Sequence, residues 1–257
     1  MPWPRRRDGP YQGFGSWVIW VVSPMSDLRI GLVVEGTTDF IVLEAALTAI
    51  LKDRTLSFTR IQPSDDATFA LASGETGWGG VLRWCRQHTT ALQNSLLAEL
   101  DLVILHVDAD VASKQYGDVF GTKPVPFNDL PCEKPCPPAS DTVNALREVV
   151  LGWVDDRIQK HWVICIPSKS IESWLVPVFF MDHPEKISGL ECNVQVAPFF
   201  IGKKGAKLIR RRGSTCKKLT KEYRAIASLI TERWTKVTQT CEQARRFESS
   251  VKAVLTE

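Results

Sequence analysis

Short apolar runs alternate along this chain with longer stretches of helical spacing. Leu28 to Val34 is apolar apart from Arg29, the pattern of a strand buried on both faces. Gly36 then allows a tight turn, and Thr37 or Thr38 can cap a following helix whose buried face is predicted at Phe40, Leu43, Leu47 and Ile50. A second strand fits Leu56 to Ile61, a loop fits "SDDATFALASGETGWGG", and the spacing over Val81 to Leu100 predicts a helix. "DLVILHVDAD", 101 to 110, is the clearest strand. A proline-rich stretch follows to about Pro138, longer than the ~12 to 15 residues of an ordinary loop, and reads as a functional insertion. Ser140 or Asp141 can cap a helix to about Val154, "HWVICIP" is another buried strand, and "SKSIESWL" opens another helix. The alternation predicts an α/β fold with a parallel sheet and crossover helices. Beyond about Val194 the pattern changes to a basic stretch and a long amphipathic helix, Leu219 to Val254, broken once.

Composition adds bounds to this picture. The chain has 257 residues, 44% hydrophobic and 24% charged, which suits one large globular domain or a domain with an appendage. A net charge of +3 is too mild to announce a nucleic-acid partner, so local distribution has to decide. Seven cysteines without a regular framework fit free thiols in a reducing cytoplasm. Cys132 and Cys136 read as loop cysteines, because no second pair follows at zinc-ligand spacing. The N-terminal segment imitates a secretory signal, with a basic cluster and an apolar run from Phe14 to Val22, but the run is too short to span a bilayer. Met25 precedes a natural domain opening. The expected division is therefore an N-terminal extension over 1–24, an α/β domain over 25–193 and a basic, mainly helical region over 194–257.

Candidate chemistry gathers at strand ends. In a parallel sheet, functional groups collect where strands reach their carboxyl ends. Glu35 follows the first strand, Asp108 and Asp110 finish the third, and Ser170 and Glu172 follow the fourth, so all can converge on one rim with Asp39. Unpaired carboxylates in such a group repel one another, and hard oxygen donors suit Mg²⁺ or Mn²⁺. Each also has a plainer reading: a strand-end aspartate is commonly a turn former, Asp39 and Ser170 can decorate helix starts, and His106 suits a satisfied core histidine.

"VVEGTTD" followed by "HVDAD" resembles the TOPRIM domain of topoisomerases, bacterial primases and OLD-family nucleases, and "SIESW" resembles the serine-x-glutamate element of the OLD type. The resemblance covers roughly residues 28 to 180. It implies a Rossmann-like TOPRIM fold and a two-metal site in which Glu35 and Asp39 serve one ion, Asp108 lies between the ions, and Asp110 with Glu172 completes the other, supported by Ser170. It also implies a downstream lysine that stabilises charge; "GKKGAK" and "CKKLTK" both offer candidates, of which Lys218 is favoured, making Glu35, Asp108 and Lys218 the catalytic set. OLD proteins carry an ATPase domain, whereas this chain has no GxxxxGK[ST] loop, so ATP dependence would need a separate ATPase or sensor subunit. The whole chain also resembles small stand-alone TOPRIM-like bacterial proteins, some linked to phage defence.

The segment 202 to 224 holds ten Lys or Arg against one acid, Glu222. A charge run is often only a solvated face, but beside a phosphodiester-type acidic site Lys203, Lys204, Lys207, Arg210, Arg211, Arg212, Lys217 and Lys218 are expected to contact nucleic-acid phosphates. The expected function is metal-dependent cleavage of DNA or RNA in the cytoplasm, away from membranes and with oligomerisation left open. The alternative is a noncatalytic nucleic-acid- or partner-binding subunit.

Overall fold

The computed structural model describes residues 27–64, 76–87, 97–121, 123, 125–154, 160–193, 195–202, 207–213 and 215–256. The extension expected over 1–24 lies outside them, as do Lys203 and Lys204. Four parallel strands, β1 (Leu28–Val33), β2 (Leu56–Gln62), β3 (Leu102–His106) and β4 (Trp162–Cys165), form a sheet in the order β2-β1-β3-β4. This is the parallel α/β arrangement expected from the alternation of apolar runs, and it is consistent with a Rossmann-like fold. β1 and β3 are central, and β3 is buried at every position, which is why its sequence is continuously apolar rather than alternating. Gly31 in β1 has a packing reason: a Cβ there would come within 2.5 Å of both Ile61 and Leu100 side chains.

Helix α1 (Thr37–Ile50) starts as expected but buries more than one stripe, including Ile41, Val42, Ala45 and Ala46, because both the sheet and the C-terminal region cover it. Its N-cap is Gly36, in ordinary extended conformation with φ −161°, and neither threonine makes a side-chain cap. Helix α2 (Gly77–Gln87) begins inside the stretch expected as loop, with Trp78, Val81, Leu82, Trp84 and Cys85 supplying its buried face. After β3 come a 3₁₀ turn (Ala109–Ser113), a one-turn helix α3 (Gly117–Phe120) and the proline-rich insertion, then α4 (Ala139–Val154). After β4 come α5 (Glu172–Phe180) and one-turn helix α6 (Pro184–Ile187).

The C-terminal region departs from the expected long helix with one break. The basic stretch folds into an antiparallel hairpin of β5 (Ile209–Arg212) and β6 (Thr215–Lys218). Four short helices follow: α7 (Thr220–Ala225), α8 (Ala227–Glu232), α9 (Trp234–Thr240) and α10 (Glu242–Val254). Breaks at Ile226, Arg233 and Cys241 let the segment wrap around α1 and α5 instead of running straight. Tyr223, Ile230, Trp234, Val237, Phe247 and Val251 share one apolar core with β1, α1 and α5, so this region completes the sheet's covering layer. Trp174 meets Trp234 edge-on at 5.4 Å between ring centres, in the core positions expected of both. The second core lies on the opposite sheet face, under α2 and α4.

The cysteine expectation needs correcting. Cys136 forms a disulfide with Cys192, tying the proline-rich insertion to the segment after α6. The partners are 56 residues apart with Cα atoms at 5.7 Å, a proximity set by the fold and invisible in spacing. Cys132 stays free, as do the buried Cys85, Cys165 and Cys241. No described helix is long and apolar enough to cross a membrane.

Candidate acidic site

The carboxyl ends of β1, β3 and β4 bring their carboxylates to one rim. Glu35 and Asp108 are directly linked: the Asp108 backbone N–H donates to Glu35 Oε1 at 2.8 Å. Asp108, only 8% exposed, is held from the other side by the Ile171 N–H, which donates to its Oδ1 at 2.9 Å. The Asp110 N–H donates to the Lys169 carbonyl, and Lys169 adopts a left-handed φ of 62° to present it. Left-handed backbone is uncommon for a lysine, and here it turns the chain from β4 towards α5 while tying the β4 loop to the β3 loop. Backbone hydrogen bonds therefore set the spacing of the rim.

Electrostatics divide the rim in two. On one side stand Glu35, Asp108 and Asp110. Burial raises the Glu35 pKa well above the ordinary carboxylate range, with the charges of Asp108 and Asp39 adding to the rise and the hydrogen bond from Asp108 opposing it. Asp110 is pushed up to about 6, first by desolvation of its carboxyl and then by Asp108. On the other side, Asp39 (3% exposed) and Glu172 (4% exposed) share the ammonium of Lys218, which lies 3.4 Å from Asp39 Oδ1 and 2.6 Å from Glu172 Oε1. Burial works against the charged lysine, but Asp39, Glu172 and Asp108 outweigh it and hold the Lys218 pKa well above its usual value. The Tyr223 hydroxyl donates to the same Glu172 oxygen at 2.9 Å.

Among the described residues, "CKKLTK" reaches the acids through Lys218. Ser170 is half-buried at the entrance to α5, where its carbonyl accepts from the Ser173 N–H. Lys207, Arg210, Arg211, Arg212 and Lys217 are exposed, the last four on the hairpin. His106 is buried as expected but is not a satisfied core histidine. Neither ring nitrogen has a hydrogen-bond partner, although Nε2 lies 3.3 Å from Asp108 Oδ1. Sequence reasoning missed Tyr223, which lies at the end of the basic stretch and the start of the expected amphipathic helix.

The implied divalent ion can be tested against this donor set. Among the described residues no three carboxylate, imidazole or thiol groups stand ready-made around one point. Lys218 already serves Asp39 and Glu172. On the other side the chemistry fits: Glu35, Asp108 and Asp110 are hard oxygen donors whose mutual repulsion a cation would relieve. Family models, curated proteins and solved structures offer no match to the chain, so the functional argument rests on this chemistry.

Proposed function

We propose that the protein is a TOPRIM-type, divalent-metal-dependent nuclease that cleaves DNA or RNA phosphodiesters. The observation that carries this reading is the hydrogen bond from Asp108 N–H to Glu35, which joins the "VVEG" and "HVDAD" motifs into one acidic site. Mg²⁺ or Mn²⁺ would be held by Glu35, Asp108 and Asp110 and would supply Lewis acidity and an activated water. The chain's own part is positional. Ile171 fixes Asp108, Lys169 fixes the Asp110 backbone, and Tyr223 fixes Glu172. Lys218 holds a positive charge at the same rim, where it can meet the scissile phosphate. A second ion on the Asp39 and Glu172 side would have to displace Lys218 from both carboxylates. The same reading includes a cytoplasmic location and a role in phage defence, with any ATP dependence supplied by a separate ATPase or sensor subunit.

The observation that favours a noncatalytic subunit is the same lysine, since Asp39 and Glu172 already share its ammonium as a counter-charge. Purified protein incubated with plasmid, linear DNA and structured RNA in Mg²⁺, Mn²⁺ or chelator separates the two. Cleavage that needs metal and is absent in Asp108→Asn supports the nuclease. Binding without cleavage under every condition supports the subunit.

A further inference from the structure

The basic run is a hairpin, and a hairpin sorts its side chains by face. Successive residues of a strand point to opposite sides, and directly paired residues point to the same side. Ile209 pairs with Lys218; Ile209 is buried in the core and Lys218 reaches the acidic rim, so this pair marks the inner face. The next pair, Arg210 with Lys217, therefore points outward. The third, Arg211 with Cys216, returns to the inner side, and the fourth, Arg212 with Thr215, points outward again.

Arg211 is already engaged in the hairpin: its Nε donates to the Gly213 carbonyl at 3.2 Å and closes the turn. The outer face differs. Arg210 and Lys217 stand directly opposite one another, a like-charge arrangement that costs stability in an antiparallel pair. Arg212 follows two residues from Arg210, about 7 Å along the strand. Among the described residues, no carboxylate forms an ion pair with Arg210, Arg212 or Lys217. One isolated anion would leave this face under-neutralised, whereas a phosphodiester strand presents a negative charge at every nucleotide.

We infer that Arg210, Arg212 and Lys217 form a sequence-independent docking face for the nucleic-acid backbone, while Arg211 serves the turn. This inference rests on the nuclease reading for its choice of ligand. The face begins one residue from Lys218, on the side of the hairpin opposite to the one that meets the rim. It also supplies the attraction that an acidic site cannot, because Glu35, Asp108 and Asp110 repel a polyanion. Contacts of this kind position a strand without reading its bases.

The test is a salt titration of binding, followed by fluorescence anisotropy of a labelled 30-nucleotide single strand and the matching duplex, with the full chain in EDTA so that no cleavage intervenes. The double variant Arg210→Gln/Lys217→Gln should lose two phosphate contacts, making the slope of log affinity against log salt shallower by about 1.4 to 1.8. Arg212→Gln should lose about half that. Arg211→Gln should leave the slope unchanged. Thermal unfolding of each variant confirms that loss of binding is not loss of fold, and the single Lys217→Gln repeats the measurement if the double variant is unstable. Equal slope changes for Arg211→Gln and Arg212→Gln would overturn the face assignment. So would an unchanged slope in the double variant, absence of binding by the wild type, or poly-glutamate binding as tightly as DNA, which would assign the face to an acidic protein. Failure of the nuclease reading looks different: face-dependent binding persists, but no metal supports cleavage.

Discussion

On the Glu35 side of the rim carboxylates face one another, whereas on the Glu172 side they share a lysine. Both sides are drawn from the same residue types, at the ends of the same sheet. The difference is contact: the hairpin brings the Lys218 ammonium within 3.4 Å of Asp39 and 2.6 Å of Glu172, whereas Asp110 feels Lys218 and Lys114 only more weakly than it feels burial and Asp108. Buried charges are tolerated when paired and hydrogen-bonded, so the Glu172 side is settled by the protein itself. On the Glu35 side burial and mutual repulsion outweigh the partners present, so protonation or an added cation would relieve it. That contrast teaches where chemistry is to be sought, and it can be broken from either side.

The largest effect is expected from Asp108→Asn. The amide oxygen can still accept from Ile171 N–H, so the fold should survive, but the carboxylate at the centre of the crowded side is gone. Metal-dependent cleavage should fall by at least about 100-fold, some 2.7 kcal/mol of barrier. Activity within a factor of a few of wild type would remove Asp108 from the site.

Next in size is Lys218→Met, which strands Asp39 and Glu172 without their cation. Removing one partner of a fully buried pair costs about 3 to 5 kcal/mol; because the lysine side chain is 38% exposed, about 2 kcal/mol is expected after allowing for solvent screening. Urea unfolding at neutral pH measures it. Repeating the experiment with Mg²⁺ sharpens the comparison: partial recovery would show that the vacated carboxylates accept an ion, as a two-metal arrangement requires.

A pH series, compared between wild type and Asp110→Asn, probes the crowded side. The folded-state pKa of Asp110 is raised from 3.8 to about 6, and that of Glu35 is raised well above its ordinary 4.5. Between those limits the folded protein holds protons that the unfolded chain has released, so this contribution is fully present below about pH 4 and is lost as pH rises through 6. Metal-free stability should therefore decline across that window, and Asp110→Asn should flatten part of the decline. A profile in the variant that matches wild type would show that Asp110 is not crowded in solution.

The smallest effect belongs to Tyr223→Phe. It removes one hydrogen bond to Glu172 but leaves Lys218 in place, so about 1 to 1.5 kcal/mol is expected, with the effect confined to the lysine-paired side. A larger loss in metal-dependent cleavage than in stability would instead make Tyr223 part of the reactive side.

How much of this was legible beforehand depends on distance along the chain. β1, β3 and β4 were readable because burial between two layers demands continuous apolar residues, and that demand is local. Their strand ends placed Glu35, Asp108, Asp110 and Glu172 on one rim for the same reason. The hairpin was not readable, because "IRRR" and "TCKK" carry charge where strands usually carry apolar residues; pairing across the turn and anchorage of Ile209 decide their form. The breaks in the C-terminal segment were equally hidden, since amphipathic spacing continues across Ile226, Arg233 and Cys241 while the surface it must cover curves around α1 and α5.

The sequence by itself determined the parallel α/β sheet and the acids at its rim, since hydrophobic periodicity and strand-end position are properties of neighbouring residues. Only the tertiary structure decided which acids receive a lysine counter-charge. Lys218 lies 179 residues beyond Asp39, Tyr223 lies 51 beyond Glu172, and Cys136 meets a partner 56 residues away. Coulombic and hydrogen-bond energies depend on separation in space, and no local pattern encodes a separation that only the packed chain creates.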